Sequence, residues 1–295
     1  MALCPTRCSV WSSIRRRPAL AGSHAVLRAI EESVMPWRGA GQTDRGHVRS
    51  TNQDAFAVLN TMQVWIVADG MGGHAGGEIA SHLAVEAITA YFRQQPQPSE
   101  YPALSEHHLS LRLTQAIDTA HHAIRTHAQR HPHLQGMGTT VVVLTIVDRG
   151  VSRPQAVVAH VGDSRAYVIH ESTITCVTRD HTVLEDRIRR GLLSPHQAHR
   201  HPLGHVLTRA VGVESTVTPD ITTYPLALTD LILLCSDGLS KMLSDEHILQ
   251  VVHETQAQSL EHLCQALIGE ANRQGGEDNI TVIAVRNEEK IPTSG

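Results

Sequence analysis

Five aspartates stand where apolar runs begin or end. They are Asp54 in "RSTNQDAFAV", Asp69 in "WIVADGMGGHAGGE", Asp163 in "AVVAHVGDSRAY", Asp237 in "LILLCSDGLS" and Asp278 in "GGEDNITVIAV". A single Asp at a strand end is ordinary turn or cap chemistry. Five of them, three beside glycine, suggest something else. In packed sheets the strand ends at one edge lie together, so residues remote in sequence can converge there. Converging carboxylates repel one another strongly unless cations sit between them. Oxygen-only donors suit hard ions, Mg²⁺ or Mn²⁺ rather than Zn²⁺. Two such ions, roughly 3.5–4 Å apart, would build the bridging water used in phosphoester hydrolysis. Asp69 and the carbonyl of Gly70 could serve together as ligands. Arg49, in the same "RSTNQD" segment as Asp54, could grip a phosphate dianion through two parallel hydrogen bonds. Two plainer readings stand beside this one: a solvated surface arginine, and a calcium or purely structural site. The chain has no D-x-D-x-D-G loop, which weakens the calcium version.

Rival chemistries can be tested on the same residues. Gly70-Met71-Gly72-Gly73-His74-Ala75 satisfies the G-x-G-x-x-A dinucleotide fingerprint between a strand and a helix. Asp69 would repel a pyrophosphate there, and the expected ribose-binding acid is missing near Ala90. A Walker-type phosphate loop needs Lys after Gly, and neither of the two lysines, Lys241 and Lys290, is so placed. A cysteine-nucleophile phosphatase needs Arg six residues after the Cys. Those positions hold Val10, Ile14, Thr182, Lys241 and Glu270, so that mechanism is excluded.

Composition narrows the class further. The chain has 295 residues, 41% hydrophobic and 18% charged, with a formal net charge of -4. No apolar run approaches the roughly 20 residues of a membrane span. Residues 1–38 carry six Arg and two Glu, so the remainder is distinctly acidic. An acidic body argues against a nucleic-acid partner and suits a protein that collects cations, although ordinary solubility charge would look the same. No CxxC pair occurs among the five Cys, and Cys235 and Cys264 sit in apolar segments. They read as core thiols in a reducing, cytoplasmic protein. The 21 His form no HExxH and read mainly as surface residues.

These side chains need a scaffold. Strand-length runs rich in Val and Ile occur at 64–68, 140–147, 156–161, 165–169, 231–235 and 280–285. Apolar residues at three- and four-residue steps predict helices over 78–92, 109–124 and 259–272. The runs 156–161 and 165–169 are nearly contiguous, as in a hairpin or a bent strand. The pattern favours mixed α and β with antiparallel sheets. The glycines after Asp69 are expected to leave room for solvent and to open a helix at Glu78. Residues 1–38 form a basic extension without a secretory core. A transit-like peptide, a disordered arm and an upstream start before Met35 all fit it. The domain is expected over 39–287, with a polar insertion at 182–206 and a polar tail at 288–295.

"GHVRSTNQDAF", "VADGMGGHAGGEIAS", "GTTVVV", "AHVGDSRAYVI", "TRDHT", "LTRAVG", "LLCSDGLS" and "EDNITVIAV" together resemble the metal-dependent serine/threonine protein phosphatases, the PPM or type-2C family, in their bacterial form. They follow the family's order over residues 41–285. The resemblance implies an α+β fold, a four-layer α-β-β-α sandwich of two face-to-face antiparallel sheets between helices. It implies hydrolysis of phosphoserine and phosphothreonine in proteins by a dinuclear Mg²⁺- or Mn²⁺-activated water. By family role, Asp69, Asp237 and Asp278 match the ligands of one ion. Asp54 and Asp69, with the Gly70 carbonyl, match those of the second, and Asp69 bridges. Asp163, with Asp237, matches a third, weaker site, and Arg49 matches the phosphate-binding arginine. Residues 182–206 match a flap beside the substrate cleft. Met71 stands where animal members carry a candidate general acid, which leaves that role unassigned. The expected partners are phosphoproteins made by a bacterial serine/threonine kinase, with no nucleic acid or membrane and a monomeric chain. Hydrolysis of small phosphoesters, or a silent partner-binding relative, are the alternatives; the second predicts missing ligands, and none is missing.

Overall fold

A computed structural model describes residues 37–72, 76–94, 106–148, 153–194, 203 and 206–287. The basic extension up to residue 36, Met35 included, lies outside the described residues, as do parts of the 182–206 insertion and the 288–295 tail.

Eleven strands occur among the described residues: β1 (Trp37–Asp44), β2 (Asp54–Leu59), β3 (Val64–Met71), β4 (Gly138–Thr139), β5 (Val141–Val147), β6 (Gln155–Val161), β7 (Arg165–His170), β8 (Thr173–Cys176), β9 (Asp220–Pro225), β10 (Leu231–Cys235) and β11 (Ile280–Asn287). One sheet runs β1-β11-β10-β7-β8 and the other β2-β3-β5-β6-β9, with β4 paired to the end of β3. Every pairing is antiparallel. The helices are α1 (Gly76–Arg93), α2 (Glu106–Arg130), α3 (Val183–Arg189), α4 (Asp237–Ser240), α5 (Asp245–Glu254) and α6 (Leu260–Arg273).

The four layers follow from the period-two alternation of strand side chains. Along β3, Val64, Ile66 and Ala68 enter a core shared with Ala84, Ile88, Leu113 and Ile117 of α1 and α2. Trp65 and Val67, one residue out of phase, enter the core between the sheets beside Trp37, Ile232, Leu234, Ile283 and Val285. Leu233, Cys235, Val282 and Ala284 face outward onto Leu263, Cys264 and Leu267 of α6. Central strands are therefore buried on both faces, which is why they read as unbroken apolar runs. Cys235 and Cys264 are core thiols, as expected.

Three expectations need correction. The composition boundary at residue 38 is two residues late, because Trp37 and Arg38 already pair with Asn287 and Arg286 in β1. Of the two readings of the runs 156–161 and 165–169, hairpin and bent strand, the hairpin fails. β6 pairs with β5 and β9, β7 pairs with β10 and β8, and the chain crosses from one sheet to the other at Gly162. Gly162 has φ +105, and a Cβ there would meet Thr140 Cβ at 2.6 Å, so only glycine makes this crossing. Finally, α1 opens at Gly76 rather than Glu78, and its glycines do not admit solvent. Gly77 is buried, and a Cβ on it would lie 2.7 Å from the Gly70 carbonyl oxygen. These glycines let the start of α1 press against the end of β3.

Candidate active site

The antiparallel register of β2 and β3 sets Asp54 directly opposite Asp69. The other sheet then reaches across to Asp54. Ser236, after β10, and Thr281, in β11, each donate a hydroxyl hydrogen bond to Asp54 Oδ2, both at 2.7 Å. The Ser236 N–H donates to the Thr281 carbonyl at 3.1 Å, which locks the end of β10 to the start of β11. Asp237 and Asp278 are thereby held near each other. The Asp278 Oδ1 oxygen accepts from the Asn279 N–H, and Asn279 in turn accepts from the Gln53 N–H next to Asp54. Strand ends from both sheets thus gather at one edge.

Asp69 is placed just as firmly. Its carbonyl accepts from the Thr140 N–H and the Thr139 hydroxyl, both at 2.8 Å, and its own N–H donates to Thr140 Oγ1 at 3.1 Å. Strand β3 continues two residues past it, pairing Gly70 and Met71 with β4. The Thr140 hydroxyl also meets Ser164 Oγ at 2.7 Å, so the segment holding Asp69 is tied to the turn holding Asp163.

Charge at this edge is under-compensated. Burial pushes Asp54 up to about 7; the Thr281 and Ser236 hydroxyls oppose that, and the Asp237 and Asp278 charges add to it. Asp69 is driven well above the usual carboxylate range by burial, then by the charges of Asp54, Asp237, Asp163 and Asp278. Burial and Asp237 raise Asp163 to about 7. Oδ1 of Asp54 and Oδ1 of Asp237 are buried without any hydrogen-bond partner. An unsatisfied buried polar atom costs about 1–3 kcal/mol, more when charged. Among the described residues, two cations reach in: Arg49 Nη2 pairs with Asp278 Oδ2 at 2.7 Å, and Lys241 Nζ pairs with Asp237 Oδ2. Burial works against the Lys241 charge, but Asp237, Asp163 and Asp278 outweigh it and hold its pKa up. The set of buried and half-buried, oxygen-only, partly orphaned donors has the chemistry that divalent hard cations complete.

The family model described as "Protein phosphatase 2C" matches residues 41–271. The chain belongs to the protein phosphatase 2C family. It is 35% identical to the serine/threonine phosphatase stp of Listeria welshimeri over 247 residues, covering 83% of this chain and 93% of that one. It is 34% identical to the serine/threonine protein phosphatase PstP of Mycobacterium tuberculosis, covering 83% of this chain and 44% of that longer protein. The crystal structure of the M. tuberculosis phosphatase superposes with a TM-score of 0.75 at 33% identity, over 86% of this chain and 100% of that one. A second structure, the PstP catalytic domain in complex with two manganese ions, gives 0.73 at 32% identity, over 86% and 99%. The protein is a serine/threonine protein phosphatase, and the four-layer sandwich expected for it is the fold observed.

One further cluster in this phosphatase has metal-binding residue types. The ligating atoms of His160, His181 and Asp220 lie within 4.8 Å of one another, beside a cavity of about 280 Å³ at the root of the 182–206 insertion. Its geometry argues against a metal. The two imidazoles are stacked 4.6 Å apart and 21° from parallel, so their lone pairs run side by side. A metal at about 2.0–2.1 Å needs them to converge. His181 Nδ1 also accepts from the Gly162 N–H at 3.1 Å, so the neutral ring carries its proton on Nε2, which faces Asp220 Oδ2 at 3.3 Å. Charge here is settled internally. Burial opposes ionisation of Asp220, yet the hydrogen bond from Arg209 and the neighbouring His181 ring bring it down to about 2. Burial, with His160 and Arg209, pushes His181 down to about 4.

His121, His160 and His181 are therefore exceptions to the mainly exposed histidines. The signal for His181 lies in "TRDHT", a segment that carries the family resemblance. Lys241 has a sequence signal too. It sits one helical turn after Asp237, a spacing that predicts contact.

Proposed function

We propose that the strand-end aspartates hold the divalent ions on which this phosphatase runs. Asp69, Asp237 and Asp278 take one ion; Asp54 and Asp69, with the Gly70 carbonyl, take the second; Asp163 with Asp237 takes a third, weaker one. The observation that carries this reading is the pair of orphaned oxygens, Asp54 Oδ1 and Asp237 Oδ1, in a group whose acids repel one another. A relative crystallised with two manganese ions supports the first two of these ions. Mg²⁺ and Mn²⁺ both suit these donors. When bound, such ions activate water and neutralise the charge that develops on phosphorus oxygens.

The protein's own residues do the rest. Ser236 and Thr281 fix one oxygen of Asp54 and so aim the other into the site. Arg49 binds the phosphate. Its side chain is half exposed and a single nitrogen engages Asp278, which leaves the rest of its planar fork for a phosphate dianion. The substrates are phosphoserine and phosphothreonine in proteins phosphorylated by a serine/threonine kinase.

Hydrolysis of a phosphothreonine peptide with Mn²⁺, with EDTA, and by the Asp237→Asn protein tests this. Activity should vanish in EDTA and in the variant. Full activity in either would overturn the metal reading.

A further inference from the structure

We propose that His181 is a positioning residue for Asp163, acting through the Gly162 peptide. The proposal rests on the reading that Asp163 takes part in ion binding. Asp163 lies in the crossing between the two sheets, and both of its neighbours are held. Ser164 is bonded to Thr140 on one side. On the other, Gly162 is gripped at both backbone polar groups by one residue. The His181 N–H donates to the Gly162 carbonyl at 2.9 Å, and the Gly162 N–H donates to His181 Nδ1 at 3.1 Å. No side chain can replace this grip from the Gly162 position itself, because φ is +105 and Thr140 fills the space where a Cβ would go.

The grip depends on one tautomer. Nδ1 must be an acceptor, so the proton must sit on Nε2. Asp220 Oδ2 faces Nε2, and Asp220 Oδ1 is itself held by Arg209 Nη1 at 2.6 Å. His160 stacks on the other face of the ring and is anchored by the Arg179 carbonyl at 2.7 Å. The charged and titratable groups that act on His181 most strongly are His160, Arg209 and Asp220, with Arg179, Asp180, Asp186 and Arg189 lining the same cavity.

The same residue joins the root of the insertion. The His181 carbonyl accepts from the Thr208 N–H at 2.8 Å, and the Val183 N–H donates to the Val206 carbonyl at 2.9 Å. Thr182 and Leu207 form an isolated antiparallel bridge. Both ends of the 182–206 segment therefore close on the residue that holds Gly162. His181 links that segment to the direction in which Asp163 points.

Calorimetric Mn²⁺ titration of the full chain tests this, alongside turnover of a small aryl phosphate measured against Mn²⁺ concentration. His181→Leu should leave the two tight ions in place. It should weaken the weak ion, and raise the Mn²⁺ needed for half-maximal turnover, by roughly tenfold, the low end for residues that orient a ligand from outside. His181→Asn, whose side-chain oxygen can stand where Nδ1 does, should rescue most of that loss. His181→Gln, which moves the acceptor outward, should not. Asp220→Ala, which leaves the ring in place but frees its tautomer, should show a smaller loss of the same kind. Equal losses in the Asn and Leu proteins, or an unchanged weak ion in both Leu and Asp220→Ala, would overturn the proposal. Asp163→Asn separates the two levels. If it abolishes the weak ion while His181→Leu leaves it alone, only the positioning role fails. If it leaves the titration unchanged, the assignment of Asp163 fails and the positioning role with it.

Discussion

The acidic edge and the root of the insertion meet at Gly162 and Asp163, yet they handle charge in opposite ways. At the edge, buried Asp54 and Asp163 and half-buried Asp69 crowd one another, their acidities are suppressed, and two carboxylate oxygens have no partner. At the root, Asp220 is shared between Arg209 and His181, and Arg165 clasps Asp180 through two bonds of 2.9 and 2.8 Å. Both regions contain residue types that bind metals. Only the first is left with negative charge that the fold does not neutralise. Residue type nominates a metal site, and charge balance with lone-pair direction decides it.

The largest test of this contrast is substitution of one acid from each region. Asp69→Asn should lower kcat on a phosphothreonine peptide by at least about a hundredfold, since even residues behind metal ligands typically cost 10–100-fold. Asp220→Asn should cost about tenfold or less. Comparable losses would erase the distinction.

The next test is the stability of the metal-free protein against pH. Asp54 and Asp163 move from 3.8 to about 7, so the folded state binds protons that the unfolded chain has released. Their contribution is complete below about 4 and is lost as pH rises through about 7. His181 moves from 6.5 down to about 4, so its contribution is complete above about 6.5 and is lost as pH falls towards 4. Thermal melts in EDTA should show stability falling across neutral pH, and Mn²⁺ should remove that fall. Proteolysis at the root of the insertion should instead accelerate towards acid. Two trends of the same sign would contradict the contrast.

Smaller effects are expected from the two cations at the edge. Arg49→Lys keeps the charge but loses the planar fork, so KM for phosphopeptide should rise several-fold, with Arg49→Ala worse. A KM for Arg49→Lys equal to that of the unaltered protein would mean that charge alone matters. Lys241→Met removes a cation that competes for Asp237, so Mn²⁺ should bind a few-fold more tightly at low ionic strength. Unchanged affinity would show that Lys241 swings clear when the ion binds.

Much of this was legible in the sequence because the central strands are buried on both faces and their aspartates interrupt apolar runs. What escaped was set by contacts between distant segments. Strand β1, "WRGAGQTD", forms no apolar run, because glycines interrupt it. Yet a Cβ on Gly41 would meet the Phe56 ring at 2.7 Å, so the glycine is demanded by the neighbouring sheet. The crossing at Gly162 looks like a hairpin until its partners are known. His181 looks like one polar residue among 21 histidines until the Gly162 peptide is placed against it. The aspartates were visible one at a time; the register that opposes Asp54 to Asp69, and the hydroxyls that reach Asp54 from the other sheet, were not.

The central claim is that the strand-end carboxylates are the ion site. Calorimetric titration of the metal-free protein with Mn²⁺, beside the Asp69→Asn protein, tests it most directly. Two tightly bound ions in the first and loss of both tight sites in the second are predicted, because Asp69 is shared between them. Two ions bound with unchanged affinity by Asp69→Asn would contradict the account.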